Sequence, residues 1–210
     1  MKNKNLLGFF AKFPEPGKVK TRLARDIGPD AAADVCRRIA EYVLKRTASE
    51  DSGYRRIIFY MPETMRQQFS DWMPGEVLRA QTGGDVGERM DNALKELFDM
   101  GAEKAIVIGS DIPGLHTGII VQAFHKLDSS DVVIGPARDG GYYLIGMKSP
   151  HPEIFRNMMW GTEKVFKETV TIIEKMGLSY GVVATLFDVD DLDDFVRAEE
   201  LLKDVENRKR

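Results

Sequence analysis

A short basic segment, FAKFPEPGKVKTRL at residues 10–23, follows the first apolar run of the chain. The segment contains one carboxylate and four cations, which are Lys12, Lys18, Lys20 and Arg22. Gly17 lets the backbone approach a ligand closely, and Thr21 adds a hydroxyl group. These residues are suited to bind a polyphosphate, although neither G-x-x-x-x-G-K-[ST] nor G-x-G-x-x-G is present. The alternative is a solvated basic turn that leads into a helix.

Aspartates follow two later apolar runs. In IGSDIPGL, Asp111 stands just beyond the run, and Pro113 prevents strand pairing from continuing. In LFDVDDLDDF, Asp188 and Asp190 alternate near the end of a run, so we expect both to point the same way. Carboxylates bind hard cations such as Mg²⁺, which are usually shared with phosphates. The pattern predicts a metal site of Asp111 with Asp190 or Asp188. Turn or helix capping is the alternative.

The segment GPARDGGYYLIG is a candidate acceptor site. Asp139 is suited to bind an acceptor hydroxyl or to act as a base, although Asp-Gly is also a common hairpin turn. The two glycines that follow leave room for a substrate against the backbone. We therefore expect the acceptor beside three neighbouring residues, which are Gly140, Gly141 and Tyr142. Trp160 is suited to stack on a sugar or a base, or else is a core aromatic residue.

A glycine-rich turn in AQTGGDVGERM is a weaker candidate for nucleotide binding. The amide of Gln81 both donates and accepts hydrogen bonds, as reading a nucleobase edge requires. Gly84 lies in the turn that follows. The alternative is an ordinary glycine-rich start of a helix.

Alternating strand and helix patterns provide the framework for these residues. Apolar runs predict strands at 6–13, 55–61, 76–81, 104–111, 131–137, 142–148 and 181–189. Helical patterns between most of them predict a mainly parallel sheet with helices on both faces. The connection around Asp139 is too short for a helix, so its two strands should pair antiparallel. The chain is therefore predicted to be a single α/β domain over residues 1–210, a three-layer sandwich with a mixed sheet. Ligands of such sheets bind beyond the carboxyl ends of the strands.

Composition excludes several classes of protein. The 210 residues have a formal net charge of −3, which gives no global attraction to nucleic acid. A single cysteine, Cys36, excludes an intrachain disulfide or a cysteine zinc site and predicts a buried, unreactive thiol. No stretch is long and apolar enough for a membrane span, and no signal peptide is recognisable, so a cytoplasmic protein is expected. The oligomeric state stays open.

Three motifs of the chain together resemble the bacterial family of radical-SAM-associated glycosyltransferases, some of which are assigned to arsenosugar biosynthesis. These motifs are K-x-P-x-x-G-x-x-K-T-R-L, G-x-D-x-P and G-P-A-x-D-G-G-Y-Y-L. The resemblance spans nearly the whole chain. It implies the GT-A-like (Rossmann-like) fold of nucleotide-diphospho-sugar transferases and nucleotidylyltransferases. It also implies that the opening segment grips nucleotide phosphates and that Asp111 binds Mg²⁺ or Mn²⁺, with Asp190 or Asp188 completing the site. The chain has G-S-D where many glycosyltransferases have D-x-D.

The resemblance implies a metal-dependent transferase with a nucleotide-activated donor and a small-molecule acceptor. Glycosyl transfer from a nucleotide-diphospho-sugar is the leading expectation. The alternative is a nucleotidylyltransferase that joins an NTP to a phosphorylated acceptor and releases pyrophosphate, which the lone aspartate and the basic segment favour. A binding or regulatory protein with a decayed site is a third possibility.

Overall fold

A computed structural model describes residues 4–48 and 52–207, with side chains as far as residue 201. The described strands are β1 (Asn5–Lys12), β2 (Arg55–Met61), β3 (Leu78–Ala80), β4 (Lys104–Gly109), β5 (Val132–Pro136), β6 (Tyr142–Met147) and β7 (Tyr180–Val182). The described α-helices are α1 (Ala24–Ile27), α2 (Pro29–Arg46), α3 (Arg66–Trp72), α4 (Val86–Asp99), α5 (Thr117–Lys126), α6 (Val165–Lys175) and α7 (Leu192–Asn207). Short 3₁₀ helices lie at Glu63–Met65 and Pro152–Phe155.

The strands form one mixed sheet in the order β3-β2-β1-β4-β6-β5-β7. The pairs β1–β2, β1–β4, β2–β3 and β5–β7 are parallel. Strand β6 runs antiparallel to both β4 and β5. The mainly parallel sheet and its one reversed strand are thus as predicted, because five residues between β5 and β6 leave no room for a crossover helix.

Two apolar clusters cover the two faces of the sheet. Strand β1 shows the alternation, because Leu7 and Phe9 join one cluster while Leu6 joins the other. Helices α2, α3, α5 and α7 contribute buried side chains to the first cluster, and α4 and α6 contribute to the second. This arrangement confirms the predicted three-layer sandwich.

The last predicted strand, 181–189, is regular only over Tyr180–Val182. Beyond it the chain follows β5 through separate hydrogen bonds and one isolated bridge between Ala137 and Leu186. Pro136 explains the interruption, because proline has no amide hydrogen to donate to a ladder. The segment after this bridge carries Asp188 and Asp190 past the end of β4.

None of the helices that the structure describes combines the length and the apolar character needed to cross a membrane.

Candidate functional site

Two cavities meet at Asp111, just beyond the end of β4. The first, which we call the basic cavity, has a volume of about 350 Å³. Its lining includes all four cations of the opening segment and its hydroxyl, that is Lys12, Lys18, Lys20, Thr21 and Arg22. The second, which we call the Trp160 cavity, has a volume of about 220 Å³. Asp111 lines both, so the two cavities adjoin at this carboxylate.

The opening segment is held in shape by its own side chains. The ammonium group of Lys12 donates to the carbonyl oxygen of Lys18 at 2.6 Å, and Lys18 pairs with Glu15 at 3.0 Å. Gly17 has a φ of 77°, a left-handed conformation that glycine adopts readily, and the position of a Cβ atom there meets only open space. Gly17 therefore shapes the turn, and it is not among the described residues that line the two cavities.

Lys20 lies between two carboxylates of the site. Its ammonium nitrogen is 2.6 Å from Oδ2 of Asp111 and 3.2 Å from Oδ1 of Asp190. Its side chain is only 8% exposed, whereas those of the two aspartates are 37% and 42% exposed. A guanidinium nitrogen of Arg22 lies 3.7 Å from Oδ2 of Asp190. The basic segment and the distant aspartates thus meet in one crevice.

Three aspartates, Asp111, Asp188 and Asp190, form a carboxylate cluster at this point. One oxygen from each lies within 4.8 Å of the others. Asp188 and Asp190 converge although no regular strand holds them, because the extended chain still alternates its side chains. Hard oxygen ligands from three carboxylates are the donor set that Mg²⁺ and Mn²⁺ accept, so these residues fit such an ion.

The pKa values of Asp188, Asp111 and Lys20 are shifted in definite directions. Burial and the negative charges of Asp111, Asp190 and Asp139 raise the pKa of Asp188 to about 6. Burial alone would raise the pKa of Asp111, but the ammonium of Lys20 outweighs it and holds the pKa below its ordinary value. Burial likewise opposes the charge of Lys20, yet the two aspartates that it contacts hold its pKa above the ordinary value. The cluster therefore stabilises a cation beside it.

The Trp160 cavity has a mainly apolar lining that includes three carboxylates. Phe10, Met90 and Trp160 contribute to the walls, and the carboxylates Asp139 and Asp188 line it together with Asp111. The ring of Tyr142 meets that of Trp160 edge-on, with ring centres 6.3 Å apart. Among the described residues that line this cavity there is no lysine, arginine or histidine. The cavity is suited to an uncharged, partly apolar group.

Trp160 rests on helix α4 at Gly87. A Cβ atom on Gly87 would lie 2.3 Å from Cζ2 of the indole, so this glycine provides the space for the ring. We predict that Gly87→Ala displaces Trp160 and shifts its fluorescence to longer wavelength. A Trp72→Phe background leaves Trp160 as the one tryptophan, because the chain has two.

The matched control is Gly84→Ala in the loop just before α4, where the nearest atom to a Cβ is a carboxylate oxygen of Glu88 at 3.4 Å. This control should leave the emission unchanged. Equal spectra for the Gly87→Ala and Gly84→Ala proteins would show that Gly87 does not position the indole.

The hairpin turn confirms one predicted alternative and corrects another. Asp139 accepts a hydrogen bond from the amide of Gly141 at 2.8 Å, so it does shape the turn while it also lines the Trp160 cavity. Gly140 does not leave room for a substrate. Its φ is 90°, and a Cβ atom there would lie 2.2 Å from the carbonyl oxygen of Glu163. The space beside Gly140 is filled by the backbone that leads into α6.

The expectation for Gln81 and Gly84 also needs correction. The side-chain amide of Gln81 donates to the carbonyl oxygens of Phe59 at 2.7 Å and Ala11 at 3.4 Å, so its donor is used inside the sheet. The backbone amide of Gly84 donates to Glu88 at 2.7 Å and is not free for a phosphate. Both residues are absent from the described linings of the two cavities. The glycine-rich turn is therefore a capped helix start.

Two residues of the basic cavity that carry a thiol or a hydroxyl group were missed by sequence reasoning. Cys36 was predicted to be buried, but it lines this cavity from α2 and is only half-buried. Burial raises the pKa of its thiol, which Lys20 only partly offsets. No local sequence pattern predicts that a residue in the middle of a helix belongs to a binding site. Ser110 also lines the cavity, and its position in G-S-D beside Asp111 is the signal that was available.

Comparison with known proteins supports the fold and identifies a relative. The chain is 36% identical to a protein of Desulfovibrio desulfuricans G20 provisionally assigned as a nucleotide-diphospho-sugar transferase. The match covers 90% of this chain and 83% of that one, with a TM-score of 0.85. None of the curated proteins matches this chain.

More distant solved structures share only the fold. One is 4-diphosphocytidyl-2C-methyl-D-erythritol synthase from Anaerococcus prevotii DSM 20548, with 12% identity, a TM-score of 0.62 and coverage of 96% of this chain and 100% of that one. Another is CMP:2-keto-3-deoxy-manno-octonic acid synthetase in complex with CTP, with 10% identity, a TM-score of 0.56 and coverage of 99% and 100%. These likenesses confirm the predicted GT-A-like fold.

The family itself is established by a family-model match, alongside the similarity to the D. desulfuricans protein. The match to the D. desulfuricans relative has 36% identity and covers most of both chains. A family model described as "Uncharacterized protein conserved in bacteria (DUF2064)" matches residues 43–162, more than half of the chain. The chain therefore belongs to the DUF2064 family of bacterial proteins.

Proposed function

We propose that this protein is a metal-dependent transferase that uses a nucleotide-activated donor, and that it transfers a glycosyl group from a nucleotide-diphospho-sugar to a small acceptor. The observation that carries the proposal is the shared crevice, in which the basic cavity adjoins a cluster of three carboxylates. A diphosphate with a divalent ion matches both halves of that crevice in charge.

The charges of the crevice are only partly balanced without ligands, because Lys20 contacts Asp111 and Asp190 while the neighbouring carboxylates still raise the pKa of Asp188 to about 6. Two like charges about 4 Å apart repel by roughly 4 kcal/mol at an effective dielectric constant near 20. Oxygens of the three aspartates lie within 4.8 Å of one another, and Arg22 enters the same crevice as Lys20. An anion bound by the cations and a cation bound by the aspartates would relieve both repulsions. The negative charge that Lys20 and Arg22 leave unbalanced in the cluster therefore favours a bound cation.

The residues of the chain divide the work of glycosyl transfer between the two cavities. Asp111, with Asp190 or Asp188, would hold Mg²⁺ or Mn²⁺, which neutralises the charge of the leaving diphosphate. Lys18 and Arg22, both exposed beside the basic cavity, bind the phosphate oxygens. These contacts strengthen as negative charge develops on the diphosphate, so they favour the transition state.

The Trp160 cavity holds the acceptor in this proposal. Its apolar walls exclude water from the reacting carbon, and Asp139 in its lining orients the acceptor hydroxyl and takes its proton. The acceptor oxygen forms a bond to the sugar carbon as the bond from that carbon to the diphosphate breaks. Gly141, Tyr142 and Trp160, which line the cavity, contact the acceptor.

Sequence relatives support the same class of reaction. The 36% identical protein of D. desulfuricans carries a provisional assignment as a nucleotide-diphospho-sugar transferase. The association with radical-SAM enzymes and arsenosugars rests on the motif resemblance and stays a prediction.

Nucleotidylyl transfer from an NTP is the second candidate. The single aspartate of G-S-D and the cations of the basic cavity, which would neutralise a leaving pyrophosphate, favour it. The Trp160 cavity argues against it, because a phosphorylated acceptor would meet three carboxylates there and no lysine, arginine or histidine among the described lining residues. We therefore place glycosyl transfer to a neutral hydroxyl first.

Product identity separates the two candidates. The protein is incubated with Mn²⁺ or Mg²⁺, a mixture of small alcohols and sugars, and in parallel either nucleotide-diphospho-sugars or NTPs. We predict release of a nucleoside diphosphate from one of the sugar donors, seen by chromatography. Pyrophosphate release from an NTP would instead establish the second candidate. If none of the donors reacts or raises the melting temperature with metal, the protein is not such a transferase.

A further inference from the structure

We propose that Lys20 is a built-in counter-ion of the carboxylate cluster. When a divalent ion binds to the cluster, the ammonium group of Lys20 moves away from Asp111 and Asp190 and pairs with a phosphate instead. Metal and polyphosphate then bind together, and each binds weakly alone. This inference rests on the proposed function, because it concerns the same cluster and the same phosphates.

The position of the ammonium group is the first step. Lys20 contacts Asp111 at 2.6 Å and Asp190 at 3.2 Å, using one oxygen of each. Asp111 and Asp190 are also two of the three residues whose oxygens converge within 4.8 Å. A cation of the protein and a cation from solution therefore compete for the same two carboxylates.

Burial makes this competition strong. The Lys20 side chain is 8% exposed, so its charge is poorly solvated and depends on the two aspartates. The backbone at Lys20 has a φ of 44°, in the left-handed region that side chains other than glycine rarely adopt. A residue held in such a conformation is fixed by its surroundings, here with its amine directed into the crevice.

A new partner for Lys20 lies within the same cavity. Lys20 lines the basic cavity together with Lys18 and Arg22, so a phosphate bound there is within reach of the same amine. A change of side-chain rotamer is a smaller movement than a change of the loop, which the Lys12 contact to the carbonyl oxygen of Lys18 holds in place. The exchange needs no rearrangement of the fold.

Counting charges shows why the two ligands are coupled. Three carboxylates face Lys20 and Arg22, so the empty cluster has a formal charge of −1 with these two cations. A divalent ion alone would turn this to +1 and leave Lys20 buried without a partner. A diphosphate that arrives with the ion supplies anionic oxygens for Lys20. By linkage, each ligand then raises the affinity for the other by the same factor.

The test compares the affinity for Mn²⁺ of the wild-type, Lys20→Met and Lys18→Met proteins in the absence of phosphate. Electron paramagnetic resonance of the free Mn²⁺ ion measures this affinity. Removal of the competing ammonium should raise the affinity of the Lys20→Met protein for Mn²⁺ by about tenfold or more. Lys18→Met removes an equal charge from the same segment, where the side chain is 67% exposed, and should change the affinity by less than about twofold. Lys20→Gln, which keeps a hydrogen-bond donor for Asp111, should behave like Lys20→Met and guards against misfolding of that variant.

The coupling is measured with inorganic pyrophosphate as the probe. In wild type, Mn²⁺ with pyrophosphate should slow alkylation of Cys36, the chain's one cysteine, far more than either ligand alone, whereas this synergy should be lost in Lys20→Met. Equal Mn²⁺ affinities for wild type and the Lys20 variants would overturn the role of Lys20 and leave the metal site standing. If no protein binds Mn²⁺, with or without pyrophosphate, both the inference and the metal-dependent function are wrong.

Discussion

Replacement of Asp111 by asparagine should reduce turnover by about a thousandfold or more while the protein stays folded. Asp111 lines both cavities, contacts Lys20 at 2.6 Å and belongs to the carboxylate cluster. Asparagine keeps the shape and one oxygen, but it loses the charge that binds a divalent ion. The expected defect therefore lies in metal binding and in the chemical step, not in folding.

The measurement is the rate of nucleoside diphosphate release at saturating Mn²⁺, together with the thermal melt. Asp34→Asn is the matched control, because Asp34 is an exposed carboxylate on α2 and lines neither cavity. It should keep wild-type turnover. Turnover within tenfold of wild type in a folded Asp111→Asn protein would remove Asp111 from the metal site.

Gly140→Ala should be the most destabilising single substitution in the hairpin between β5 and β6, with a loss of about 3 kcal/mol or more in the free energy of unfolding. Gly140 has a φ of 90°, which an alanine rarely adopts. The added Cβ atom would also lie 2.2 Å from the carbonyl oxygen of Glu163, and a backbone atom cannot yield as a flexible side chain can. The substitution must move either the turn or the start of α6.

The neighbouring glycine provides the comparison. A Cβ atom on Gly141 would meet only the end of the Asp139 side chain, at 3.2 Å, so Gly141→Ala should cost far less stability. Urea denaturation of both variants measures the difference. Similar losses for the two alanines would show that the contact between Gly140 and Glu163 is not a constraint on the fold.

Most of the fold could be predicted from the sequence, because strands and helices are indicated by local patterns of apolar residues. Apolar runs predicted β1 to β6 to within a few residues, and the five residues between β5 and β6 were enough to predict an antiparallel pair. The shortened β7 was not predicted, because its interruption depends on Pro136 in a different strand. A proline cannot donate a backbone hydrogen bond to the neighbouring strand, so it interrupts the pairing of that strand. A single sequence does not show which strands are neighbours in the sheet.

The sequence predicted the site residues that follow the ends of strands. It did not predict the contacts between residues that are far apart in sequence. The opening segment and the aspartates Asp111 and Asp190 follow apolar runs, so their meeting at one edge of the sheet could be expected. Gly140 and Gly84 were misinterpreted, because glycine is used alike for ligands, caps and close backbone contacts. The close approach of Gly140 to the backbone of Glu163, over twenty residues away in sequence, shows that this glycine serves a backbone contact.

The central claim is that one crevice binds a divalent ion and a polyphosphate together. A crystal structure of the protein grown with MnCl₂ and inorganic pyrophosphate tests it most directly, because it requires no knowledge of the nucleotide. We predict an anomalous manganese peak among Asp111, Asp188 and Asp190, with pyrophosphate beside it in contact with Lys20 and Arg22. Manganese and pyrophosphate bound at separate places, or both absent from this crevice at saturating concentration, would contradict the account.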